Sequence, residues 1–168
     1  VKILFLGAPT AAHPGHDPIE RYRVLKKALG VDGINLTYTE DLADLNRDVL
    51  DRYDGLMLYG NWKQVGPMDP AQEKALLGFV EDGGAFLPIH CASACFGGSD
   101  AFIKLVGGRF KSHETGVFTT TIVAPDHPVM RGYGGFETWD ETYVHDRHGD
   151  DRTILQLREK EPWTWVRK

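Results

Sequence analysis

The chain has 168 residues, of which 42% are apolar and 26% charged, with a formal net charge of −5. That length supports a core of its own, and the acidic balance, with no Lys/Arg cluster, excludes an ordinary nucleic-acid surface. No apolar run approaches the roughly 20 residues of a membrane span, so a soluble protein is expected.

The chain opens on Val1 rather than Met, so a piece processed or excised from a longer chain is expected. A removed signal peptide would leave no trace, and a cytoplasmic or a periplasmic home both remain open. Cys91 and Cys95 stand four apart on an expected helix. They point the same way, but helical backbone disfavours a disulfide between them.

Lys2 to Leu6 reads as a short apolar strand ending at Gly7, followed by a loop with His13 and His16. Asp17-Pro18 is an N-cap followed by proline at the first helical position. The helix runs to about Leu29, its apolar residues near helical spacing, and Gly30 suits its end. Ile34 to Thr39 is a second strand. Leu42 to Tyr53 is a short helical or irregular crossover. Gly55 to Tyr59 is nearly all apolar, as buried parallel strands are.

Asp69-Pro70 starts another helix by the same device, with Gln72 placed for a capping box. Gly83-Gly84 end it. Ala85 to Ile89 is the fourth strand, and it stops at His90 and Cys91. Ala92 to about Val106 is expected to be helical, with a break at Gly97-Gly98. Strand and helix alternating with short connections predict a parallel, doubly wound α/β sheet with helices on both faces. Beyond Gly108 the texture turns β-rich, with strands expected over 117–124, 138–145, 153–157 and 163–166. No linker or repeat divides residues 1–168, so a single domain is expected.

Open α/β sheets bind ligands outside the carboxyl ends of their strands. The loops at that edge supply His13, His16, Asn61, Trp62, His90 and Cys91; later segments supply His113, His127, Asp140, Glu141, Tyr143 and His145. Imidazoles with carboxylates suit a divalent transition metal such as zinc or general acid–base catalysis. Neighbouring strand residues face opposite ways, so at most one of Asp140 and Glu141 reaches a pocket; Glu141, whose alternation partner is Tyr143, is favoured over a surface pair. His127 before Pro128 reads as a turn or cap, and His145 and His148, among charged neighbours, as a solvated turn. No GxGxxG follows the first strand, and no phosphate loop, GxSxG, HExxH or CxxC occurs. No nucleotide cofactor is expected.

The blocks HPGHDP (13–18), LTYTEDLADLN (36–46), DPAQEKALLGFVEDGGAFLPIHCASACF (69–96), LVGGRFKSH (105–113), APDHPVMRG (124–132), FETWDETYVH (136–145) and EPWTWVR (161–167) resemble the ThuA-like, or trehalose-utilisation, domain over nearly the whole chain. The chain looks closest to the version found as a module of large bacterial multidomain proteins, some carrying c-type haem domains. The resemblance implies a flavodoxin-like three-layer sandwich similar to class I glutamine amidotransferases, and it implies that the chain lacks the family's final strand and helix.

Amidotransferases place a cysteine nucleophile at the strand-to-helix elbow. Here that position looks to be His90, with Cys91 one residue later, so the likeness implies fold and not that activity. The implied function is carbohydrate metabolism, on a disaccharide or keto-sugar, by acid–base or metal-assisted hydrolysis or isomerisation. Catalytic roles fall to His90 and Glu141, metal ligation to His16, His90 and His113, and substrate contacts to Asn61, Trp62 (stacking on a sugar ring), Cys91 and Tyr143. A non-catalytic carbohydrate-binding or scaffold module is the alternative, so the residues leave open whether the chain is an enzyme. Homo-oligomers or other domains of a longer chain are the expected protein partners.

Overall fold

Apolar runs bounded by turn residues become the strands of a parallel sheet. The computed structural model describes residues 1–8, 14–60, 62 and 67–167. His13 and Asn61 therefore lie outside the described residues. The chain forms two compact units, Val1–Val106 and Gly107–Lys168.

In the first unit, β1 (Lys2–Gly7), β2 (Asn35–Thr39), β3 (Gly55–Tyr59) and β4 (Ala85–Pro88) form one sheet in the order β2-β1-β3-β4. Every neighbouring pair is parallel. The direction of strand addition reverses between β1 and β3, which makes their carboxyl ends the switch point. The crossovers contain α1 (Pro18–Gly30), α2 (Arg47–Leu50) and α3 (Pro70–Glu81); α4 (Asp100–Val106) follows β4. Right-handed crossovers put α1 on one face and α2 and α3 on the other. Tyr22, Leu25 and Leu29 of α1 pack on Ile3, Phe5, Leu36, Met57 and Tyr59. Leu4, Leu6, Leu56 and Leu58, the alternate residues of β1 and β3, are also buried. Each contributes roughly 1.5–3 kcal/mol by leaving water.

Both expected proline-primed helix starts are present. Asp17 accepts from the Ile19 amide at 2.8 Å, and Asp69 from Ala71 at 2.8 Å and Gln72 at 3.3 Å. The capping box is not formed: the Gln72 side-chain amide donates instead to the Leu42 carbonyl at 2.7 Å, tying α3 to the preceding crossover. The helical stretch expected from Ala92 to Val106 is interrupted more widely than the break at Gly97-Gly98. His90–Ala94 is a 3-10 turn, Cys95 is extended, Phe96 has φ 47°, and α4 begins only at Asp100. The small residues of CASAC serve burial rather than helix: Cys91, Ala92, Ser93, Ala94 and Cys95 are all buried.

The second unit is antiparallel. β5 (Arg109–Ser112) pairs with β9 (Val144–Asp146), and β6 (Thr115–Thr119) with β8 (Glu137–Glu141). β10 (Thr153–Arg158) lies between β7 (Thr121–Ile122) and β11 (Glu161–Val166). The strands expected beyond Gly108 thus exist, though 117–124 and 138–145 each divide in two. Leu155 of β10 is fully buried. The buried Gln156 amide is satisfied by Thr120 at 2.6 Å and Thr164 at 2.7 Å. Among the described residues, no helix is long and apolar enough to cross a membrane.

Candidate functional site

The carboxyl edge of the parallel sheet brings two histidines together. His16 closes a 3-10 turn, Pro14–His16, just before Asp17 caps α1. The close approach of α1 to the end of β1 depends on Gly7, where a Cβ would sit 2.5 Å from the Pro18 Cβ. Arg21, on the first turns of α1, donates to the Gly15 carbonyl at 2.9 Å and so ties the His16 turn to the helix. Its guanidinium also lies 6.0 Å from the Tyr59 ring centre, a cation–π contact.

His90 comes from the other side of the switch point, immediately beyond β4. Its φ is 50°, in the left-handed region, which costs a residue other than glycine roughly 1–3 kcal/mol. The strain is held by neighbours on both sides: Ile89 donates to the Leu58 carbonyl at 2.9 Å, and Ser93 Oγ to the His90 carbonyl at 3.1 Å. The turn lifts the imidazole away from the core that Cys91 enters.

The His16 and His90 rings are nearly parallel, 12° apart with centres 4.9 Å from one another, and their Nε2 atoms are 3.0 Å apart. A hydrogen bond at this distance needs a proton on one Nε2 and a lone pair on the other, the roles following the tautomer. Two ligands on one tetrahedral zinc, each at about 2.0–2.1 Å, stand about 3.3–3.4 Å apart, so a small ring rotation would let both lone pairs face one ion. Tyr59, at the end of β3, lies behind His90 with ring centres 6.3 Å apart.

In the second unit, Glu141 ends β8. Its Oε1 lies 3.3 Å from His113 Nε2. His113 Nδ1 is 3.2 Å from the Glu114 carbonyl oxygen, which can only accept. The ring therefore donates at Nδ1, and Nε2 faces the carboxylate. Tyr143 is buried beneath this pair, its ring 4.6 Å from Phe110 and 5.7 Å from His113. The Arg158 guanidinium donates to the carbonyls of Thr142 at 3.4 Å and Tyr143 at 3.3 Å, bracing the turn after Glu141.

A family model described as trehalose utilisation matches residues 2–168. The chain belongs to the ThuA family. Solved structures carry the same fold. A ThuA-like protein from Bacteroides uniformis ATCC 8492 is 19% identical with a TM-score of 0.77, over 99% of this chain and 73% of that one. A ThuA-like protein from Parabacteroides merdae ATCC 43184 is 16% identical with a TM-score of 0.75, over 100% of this chain and 75% of that one. A glutamine amidotransferase from Thermotoga maritima is 14% identical with a TM-score of 0.61, over 99% of this chain and 71% of that one. Among curated proteins none matches the chain.

Within this ThuA fold the expected site residues divide. His16 and His90 meet, and so do His113, Glu141 and Tyr143. Trp62 does not offer a sugar platform: it is 8% exposed, stacked on Phe96 at 5.8 Å, and covers the place a Gly60 side chain would need. Cys91 is 1% exposed in the core beside Phe5 and Tyr59, where no substrate reaches it. Cys95 is likewise buried, its thiol donating to the Gly60 carbonyl at 3.0 Å. His127 caps the 3-10 turn Pro128–Met130 by accepting from the Val129 amide at 3.2 Å.

His145 is not in a solvated turn. It is buried, edge-on to Trp165 with ring centres 5.3 Å apart. Burial, helped by the charges of His148 and Arg152, pushes its pKa down to about 4. Arg21 and Tyr59 were not singled out from the sequence. Arg21 sits five residues after His16 on a helix capped by Asp17, a spacing that brings it back over the turn.

Proposed function

We propose that this ThuA domain acts on a disaccharide or keto-sugar, by hydrolysis or isomerisation at a carbonyl-bearing or anomeric carbon. The observation that carries the reading is the His16–His90 pair, Nε2 to Nε2 at 3.0 Å, presented at the sheet's carboxyl edge by a strained residue. A core histidine needs no left-handed backbone; an imidazole turned out at an elbow does. The family's description supplies the carbohydrate class.

His90 serves as general base, with His16 as its proton partner, or the two act together as ligands of a divalent ion. Their spacing fits two ligands of such an ion. A bound zinc would supply Lewis acidity toward a sugar carbonyl or an activated water. To Glu141 we assign the second catalytic role, proton transfer to or from a departing or enolised oxygen. Cysteine chemistry is set aside, because the elbow conformation belongs to His90 and the Cys91 thiol is in the core.

The test is turnover of trehalose and of an oxidised disaccharide, followed by chromatography of the products, with and without added zinc. His90→Ala and Glu141→Gln should each lower kcat by about 100-fold or more. Intact turnover in both variants would end the mechanism. Sugar binding by the wild type with no product under any divalent metal would instead make the domain a binding module.

A further inference from the structure

The second unit leaves a large aromatic ring uncovered. Trp139, in the middle of β8, is 68% exposed, and its cross-strand partner Val117 on β6 is 64% exposed. A tryptophan in a folded chain normally buries most of its large apolar area. Alternation along β8 puts Glu137, Trp139 and Glu141 on one face, and the register sets them opposite Thr119, Val117 and Thr115. The face is thus an apolar centre of indole and isopropyl, bounded at each end by one carboxylate and one hydroxyl.

We propose that Trp139 is the stacking platform for a pyranose ring of the substrate; this rests on the carbohydrate reading above. The axial C–H groups of a pyranose carry slight positive charge and suit the electron-rich indole face. The ring's hydroxyls project outward, toward groups that accept or donate hydrogen bonds, which Glu137, Glu141, Thr115 and Thr119 are. Same-face residues two apart on a strand lie about 6.5–7 Å from each other. A sugar seated on Trp139 therefore puts a substituent within reach of Glu141, whose Oε1 lies 3.3 Å from His113 Nε2.

The same chemistry disfavours other occupants. An apolar protein surface would have to desolvate two carboxylates to cover the indole. A phosphate-rich or nucleic-acid ligand would meet Glu137 and Glu141. The sugar-stacking role expected of Trp62 passes, on this proposal, to the exposed Trp139.

The experiment titrates trehalose, maltose and sucrose into the full chain, read by intrinsic fluorescence and by saturation-transfer NMR. Trp139→Ala and Trp139→Phe are compared with wild type, and sedimentation is run on each. Trp139→Ala should weaken association about tenfold, Trp139→Phe less than about threefold, because a second aromatic keeps the face. Saturation transfer should mark one face of the sugar and vanish in Trp139→Ala.

Unchanged affinity in Trp139→Ala, or no association of any of the three sugars with wild type, overturns the proposal. So does a dimer that dissociates on Trp139→Ala, since that gives the face to a second copy of the chain. Glu141→Gln separates this claim from the catalytic one. If it keeps full turnover while Trp139→Ala loses affinity, the mechanism fails and the platform stands. If it loses turnover while Trp139→Ala binds normally, the platform fails alone.

Discussion

Acidification to pH 5 should weaken the fold through His145. The group has a pKa of about 4 in the folded chain, lowered first by burial and then by His148 and Arg152, against a weaker opposite pull from Asp146. In the unfolded chain it titrates near 6.5. Because the folded value is depressed, the unfolded state binds the proton first as pH falls. Stability is undiminished above pH 6.5 and is lost between there and pH 4. The two pKa values give a loss of about 2 kcal/mol at pH 5 and about 3 kcal/mol by pH 4. Urea unfolding at pH 7.5 and pH 5.0 should show that loss in wild type. His145→Phe keeps an aromatic ring beside Tyr143 and Trp165 but cannot titrate. Its own pH dependence should be smaller than that of wild type by about 2 kcal/mol, whatever its absolute stability. Equal pH dependence in the two proteins would refute the reasoning and mean that His145 is not held neutral by its surroundings.

Backbone strain at His90 predicts an inverted ranking of two truncations: His90→Gly should be more stable than His90→Ala by about 1 kcal/mol in chemical denaturation, since only glycine relieves φ 50°. The reverse order would remove the strained elbow. Gly7→Ala should cost about 1–3 kcal/mol and loosen the His16 turn, because its new methyl meets the Pro18 Cβ; a neutral effect would show that α1 does not need that approach.

The sequence made the parallel half of the fold readable because its signals are local. Asp17-Pro18 and Asp69-Pro70 carry both the cap and the fixed φ of a helix start, and β3 is buried along its whole length, as GLMLY suggests. AFLPIH reads as a strand that stops at a histidine, and His90 stands at that elbow. What failed depended on neighbours distant in sequence. Gln72 has the right position for a capping box, but the Leu42 carbonyl takes its amide. Trp62 looks like any loop tryptophan until Phe96 is placed against it.

Composition alone suggested a solvated turn for HDRHGD, yet the β5–β9 pairing buries His145 while Arg109 takes up Asp146 in two hydrogen bonds of 2.9 and 2.8 Å. The alternation in ETWDE does put Trp139 beside Glu141 on one strand face. That Trp139 stays uncovered depends on strand pairing, which the sequence does not spell out.

The central claim is that His16 and His90 form a reactive centre able to hold a divalent metal. The most direct measurement is metal content by mass spectrometry on untagged protein at pH 7.5, wild type beside His90→Ala and His16→Ala. The account predicts close to one zinc or other transition metal per chain in the wild type, and its loss in both variants. A folded wild type that takes up no metal when dialysed against zinc, or variants that retain it, would contradict the metal claim and leave His90 only the role of a base.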